Sequence, residues 1–352
     1  MKHATWIVAA AFTLAAAGEA GARDLRPRTL LVYYGFPSSI NATFSVPGAA
    51  AELGAYDHVV LGDGLEKATH PDHANTVAIL AHPDMAGTTV FGYIDLGVTT
   101  QNLSLAEIGL RVLEWQSTGA DGVFFDDFGY DFGVDRARQS AAVDAAHAAG
   151  LAVVANAFRV ADAFDDAVDP VSNPTGDATH LGAGDLYLYE SHQVRLNAYE
   201  AEAAWQAKAN EVEALRLAHG FGVFSITTTD VDDPAAFEQE KLDYAWFSAL
   251  LYGHVATGWG EYAFSASGAS NSLAPFRARP SVAPGASFTS VVVANPPLYT
   301  RDTDAGTISV DAVAHVASFV PGANPVPLSG AGVLALLLCA GGAWAIRRTR
   351  RR

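Results

Sequence analysis

The sequence predicts an α/β fold, a (β/α)8 TIM barrel with a small C-terminal β-extension, on three observations. Eight short β-branched and aromatic runs alternate with alanine-rich helical stretches between residues 23 and 262. That span, about 240 residues, is the size of one such barrel. No Gly-x-Gly-x-x-Gly follows the first run, as the alternative, an open doubly wound sheet, would lead one to look for; the pair Gly182 and Gly184 precedes a strand instead of following one.

The predicted strands are residues 30–36, 58–62, 89–96, 122–127, 152–157, 186–190, 222–227 and 254–259. Helices are expected at 48–53, 75–81, 105–118, 137–149, 198–218 and 234–251. The texture changes after Tyr262. A Ser/Gly/Ala/Pro stretch leads to two strand-like runs, 290–294 and 307–311, read as a β-extension (263–319) packed on the barrel, because so short a segment could bury little core of its own. Residues 320–327 read as a spacer.

Both ends carry targeting patterns. Lys2, an apolar run over 6–17 and the small residues Ala20 and Ala22 have the order of a signal peptide (1–22), so signal peptidase is an expected partner. Residues 329–346 contain no charge, and arginines fill five of the last six positions. The stretch 328–346 is long enough to read as a membrane helix, with 347–352 as a basic cytoplasmic tail. The order of Val326-Pro327-Leu328, a short apolar helix and an arginine cluster resembles the PEP-CTERM class of bacterial sorting signals, although the usual Pro-Glu-Pro element is replaced. That resemblance implies export and recognition by an exosortase, with the protein either anchored on the periplasmic side or sorted to the cell surface.

The net charge is −17 over 352 residues. Setting aside Lys2, Glu19 and the five terminal arginines leaves 15 basic and 37 acidic side chains, a net −22. Such a body repels phosphate and excludes a nucleic-acid partner; a neutral or cationic ligand suits it. Cys339, the single cysteine, lies in the tail, so disulfides and cysteine metal sites are excluded from the body. No cofactor motif is present. His70, His73 and His82 lack the helical spacing of a metal pair, and no metal is expected.

The chemistry concentrates where strands run out, the position at which barrel side chains converge. Strands end at Asp63, Asp95, Asp126-Asp127, Asn156, Glu190, 227–229 and Trp259 to Glu261. An apolar run through Val123, Phe124 and Phe125 gains nothing in stability by ending on two carboxylates, and period two sends Asp126 and Asp127 to opposite sides. One of them, with Asp126 ahead, is the expected catalytic carboxylate, as nucleophile or base. Glu190, flanked by tyrosines, is its expected partner, since paired carboxyls are the minimum set for glycoside cleavage. Asn156 lies between them in strand order, where it could bond a sugar hydroxyl or the carboxylates. Asp63, Asp95 and Glu261 are further candidate substrate contacts. Of the aromatics assigned to the mouth, Tyr33, Tyr34, Tyr93, Tyr130, Tyr189, Trp259 and Tyr262, those expected to stack on sugar are foremost Tyr34 and Trp259, then Tyr189.

The strand-four sequence Gly-Val-Phe-Phe-Asp-Asp, with Asn ending strand five and Glu ending strand six, resembles the (β/α)8 glycoside hydrolases of the endo-α-1,4-polygalactosaminidase and spherulin-4-like group. The resemblance spans roughly residues 29–315. It implies hydrolysis of a galactosamine-containing polysaccharide through an Asp/Glu pair at Asp126 or Asp127 and Glu190. A non-catalytic glycan-binding or surface protein on the same scaffold is the alternative.

Overall fold

The computed structural model describes residues 24–62, 64–229, 237–261 and 272–322. The predicted signal peptide, Asp63, Tyr262 and the apolar tail with its sorting motif lie outside the described residues. Among the described residues no helix is long and apolar enough to cross a membrane.

The strands are β1 (Arg28–Tyr33), β2 (His58–Leu61), β3 (Thr89–Asp95), β4 (Gly122–Asp126), β5 (Ala152–Ala155), β6 (Leu186–Glu190), β7 (Val194–Arg195), β8 (Ala198–Tyr199), β9 (Gly222–Thr228) and β10 (Ala256–Gly260). Eight of them, β1 to β6 with β9 and β10, close into a parallel barrel in chain order. The helices are α1 (Val46–Leu53), α2 (His73–Leu80), α3 (Leu105–Thr118), α4 (Arg136–Ala148), α5 (Val160–Phe164), α6 (Glu202–His219) and α7 (Gln239–Tyr252). The first strand starts two residues earlier than expected and stops before Tyr34, because Pro37 opens a 3-10 turn over Pro37–Ala42. The helix expected from residue 198 starts at Glu202, since a small hairpin of β7 and β8 takes the intervening residues.

Two apolar layers follow from period two. Leu30, Val32, Val60, Phe91, Tyr93, Phe124, Val154, Leu188, Phe224, Ile226 and Ala256 fill the barrel interior. Alternate residues such as Leu31, Tyr33, Val123, Phe125, Tyr187 and Tyr189 face the helices. Helix α3 shows how the outer layer forms. Ser104 caps it by accepting from the Glu107 amide at 3.2 Å, and Ile108, Arg111, Val112 and Trp115 repeat at helical spacing on its buried face. Trp115 then lies flat over β3 where Gly92 leaves room: a Cβ on Gly92 would sit 2.0 Å from the indole. The indole N–H donates to the Tyr93 carbonyl at 3.1 Å. Arg111, ion-paired in the interior with Glu66, donates to the same carbonyl at 3.3 Å.

The C-terminal extension is larger than the two strands expected from sequence. It is a four-stranded antiparallel sheet of β11 (Val293–Asn295), β12 (Leu298–Asp302), β13 (Gly306–Asp311) and β14 (Val316–Pro321). The segment read as a spacer from residue 320 therefore begins inside β14. The sheet packs on α7, and Tyr299 donates to Glu202 of α6 at 2.7 Å while Arg301 donates to the Leu251 carbonyl at 2.9 Å. Covered by the barrel on one side and the sheet on the other, α7 is buried from Leu242 onward except at Asp243.

Replacing Gly92 with Ala should destabilise the fold by ~1–3 kcal/mol, the usual cost of overpacking a filled core. Urea unfolding would show it as a lower midpoint with an unchanged slope.

Candidate active site

The interior parity of each strand decides which predicted residue reaches the mouth. On β4, Phe124 points inward, so Asp126 does as well; on β6, Leu188 and Glu190 share a side. Asn156 follows Val154 and Tyr34 follows Val32 in the same way. These four half-buried residues meet. The Asn156 amide nitrogen donates to Asp126 Oδ1 at 2.8 Å and to Glu190 Oε2 at 3.3 Å. Negative charge on Asp126, Glu190 and Asp127 adds to burial in pushing the Tyr34 phenol well above its ordinary value.

Asp126 is the most perturbed carboxyl of the group. Burial, then the charge of Asp127, push it up to about 7, against the opposing hydrogen bonds from Asn156 and the Tyr93 hydroxyl. Asp127 has left-handed backbone, φ 52°, a conformation that Asp tolerates better than most residues and that marks the strand end as strained. Its side chain lies beside Thr100 and Asp95. Burial and the Asp95 charge raise it to about 6. Asp95 is buried, with Oδ1 accepting from the Gly97 amide at 2.8 Å and the Thr100 hydroxyl at 2.7 Å; its carboxylate fixes the β3 loop beneath Asp127.

Three expected contacts lie elsewhere. Tyr189 has outward parity; its hydroxyl donates to the Trp205 carbonyl at 3.2 Å, and Lys208 Nζ sits 4.5 Å from its ring. Trp259 pairs in register with Thr227, one position off the interior pair Ile226 and Gly258, and so faces outward onto Phe237 at 5.1 Å. Glu261 is joined to Arg277 at 2.6 Å, and with Trp259 it lines a cleft on the outer flank of the barrel that Tyr56 and Arg279 complete. The reason is the same for both aromatics: a strand-end position is not enough, and odd parity on β6 and β10 turns the side chain to the helices.

Tyr93 is the site residue whose contact the sequence reading did not identify. Its signal was available, because it lies two positions before Asp95 and two after Phe91 on a strand already read as a barrel stave. Its ring meets Tyr34 edge-on at 5.4 Å, and its main chain is held by Trp115 and Arg111. The histidines of the β2 loop serve the loop: His73 Nδ1 lies 2.8 Å from the Leu65 carbonyl, and His70 Nδ1 accepts from the Asp72 amide.

The folded chain holds the Asp126 proton more tightly than an ordinary carboxyl, which ionises near ~4. Ionisation therefore costs the folded state, and its stability contribution is lost as pH rises from the unfolded value toward about 7. Asp126→Asn should reduce the loss of stability between pH 5 and pH 8, read from urea midpoints at the two pH values.

No family model matches the chain, and no curated protein matches it. Among solved structures the barrel is similar to the glycoside hydrolase domain of PelA from Pseudomonas aeruginosa, at 15% identity and TM-score 0.41, over 69% of this chain and 98% of that one. It is similar to Ega3 of Aspergillus fumigatus, solved in complex with galactosamine, at 12% identity and TM-score 0.38, over 69% and 94%. It is also similar to a multifunctional pyruvate carboxylase of Rhizobium etli, at 13% identity and TM-score 0.39, over 68% and 24%. Likeness at this level reaches hydrolases and a carboxylase alike and carries no argument about function.

Proposed function

We propose that the chain is an exported glycoside hydrolase that cleaves an exopolysaccharide bearing free amino groups, with Asp126 and Glu190 as the reacting carboxyl pair. The observation that carries this reading is the single Asn156 amide within hydrogen-bond reach of both carboxyls. An amide that donates to both holds the two carboxyls within reach of one small group, as a pair acting on one glycosidic bond requires. A retaining mechanism, in which one carboxyl attacks directly and the pair stands ~5–5.5 Å apart, suits such closeness better than an inverting one at ~6.5–9.5 Å.

In the first step the Asp126 carboxylate attacks the anomeric carbon, the glycosidic C–O bond breaks, and the departing oxygen takes the proton of Glu190. In the second, Glu190 accepts a proton from water, the water oxygen attacks the same carbon, and the Asp126 ester is released. Tyr93 and Asn156 hold the Asp126 oxygens and stabilise their charge. A raised Asp126 must ionise before it can attack. An ammonium group entering among Asp126, Asp127 and Glu190 favours that ionisation, which couples chemistry to a cationic sugar. The targeting patterns at both ends support export and retention at the membrane or cell surface, through signal peptidase and an exosortase.

The purified chain incubated with a partly deacetylated galactosamine polymer should release new reducing ends, and more slowly as salt is raised. Glu190→Gln and Asp126→Asn should each lower the rate by ~10²–10⁴-fold. Azide added to Glu190→Ala should give a glycosyl azide of retained configuration, and to Asp126→Ala one of inverted configuration. Binding without turnover on every glycan tried would instead favour a non-catalytic glycan-binding barrel.

A further inference from the structure

Two exposed phenylalanines follow opposite strands of the barrel in a repeated arrangement. Phe158 is 63% exposed and stands two residues beyond Asn156; Phe36 is 46% exposed and stands two residues beyond Tyr34. Each is backed by a ring from the neighbouring strand's loop. Phe132, after β4, lies 5.2 Å from Phe158, and His70, after β2, lies 5.1 Å from Phe36 edge-on. In a closed ring of eight strands, β1 and β5 are four places apart in either direction and therefore stand diametrically opposite. Asp126 and Glu190 end β4 and β6, the two neighbours of β5, and so stand on either side of the line that joins the two strands.

Exposed apolar side chains occur elsewhere on this surface, Phe44 among them, but these two occupy matching positions on opposite strands of one mouth and so define a line. Pyranose rings offer apolar C–H faces that pack on aromatic faces. An ammonium substituent close to the ring adds a cation–π attraction. Both suit an amino-sugar polymer and neither suits a small polar ligand confined to the carboxyls.

We propose that Phe158, supported by Phe132, and Phe36, supported by His70, are sugar platforms on opposite rims, so that a glycan chain crosses the mouth along the β1–β5 diameter, passing the carboxyl pair. The binding does not rest on the hydrolase reading; the cutting of a chain so bound does. Platforms on opposite rims require a chain that spans the mouth, so short oligosaccharides that fill only one rim are poor substrates.

The test measures glycan affinity by calorimetry on full-length Glu190→Gln protein carrying Phe158→Ala or Phe36→Ala, with Leu110→Ala on the far side of α3 as the control. Each phenylalanine change should weaken polymer binding by roughly three- to tenfold, and Phe158→Trp and Phe36→Trp should restore it. In catalytically intact protein the same losses should fall on KM for the polymer. Affinity equal to the parent in both alanine variants would overturn the platforms, since both side chains are exposed and their loss leaves the fold intact. If the wild-type chain cuts no glycan but the alanine variants still lose binding, the hydrolase reading fails and the platforms stand.

Discussion

Closing eight parallel strands into a ring leaves one enclosed interior, and a strand-end side chain can reach the mouth of that interior only with the parity of the apolar residues beneath it. Everything at the site follows from this alternation. Val32, Tyr93, Phe124, Val154 and Leu188 occupy the inside, and the residues two steps on from four of them, Tyr34, Asp126, Asn156 and Glu190, converge above. The same rule sends Tyr189 and Trp259 to the helices, close in sequence to the site and separated from it by the barrel wall.

Convergence of this kind has an electrostatic cost. Asp126, Asp127 and Glu190 repel one another, and Asp95 adds a fourth charge beneath Asp127. The arrangement persists because each group is anchored by elements that are stable for other reasons. Asp95 ties its own loop, Asn156 spans two carboxyls, and Tyr93 is fixed through its carbonyl by Trp115 and Arg111 from α3. A tryptophan packed against a glycine on the outer wall thus helps to set the position of a hydroxyl on the inner one. Strain concentrates where chemistry would use it, at the left-handed Asp127.

The barrel was legible because its strands are short, apolar and evenly separated by helical stretches, and the carboxyl pair because no packing argument explains acids at the ends of apolar strands. Parity is legible too: Tyr189 and Trp259 each lie one position off the inward-facing Leu188 and Gly258, as Asp127 lies one position off Asp126. Other features have no local signature. The sequence around Glu261 does not announce Arg277, which arrives from sixteen residues away after the barrel has closed. The two expected runs correspond to β11 and β13; β12 lies in the stretch between them, where Thr300, Arg301 and Asp302 read as a polar bridge, and β14 is an edge strand whose mostly exposed residues give no core signal.

Helix α7 links the two parts of the molecule in time as well as in space. Its inner face closes the barrel between β9 and β10, while its outer face stays apolar until β13 and β14 cover it. Since β14 ends at Pro321, a nascent chain cannot finish burying its last barrel helix until almost all of the body has been synthesised. The sheet and the barrel therefore form one cooperative unit, and losing the final strand would expose a sticky helix rather than merely shorten an appendage.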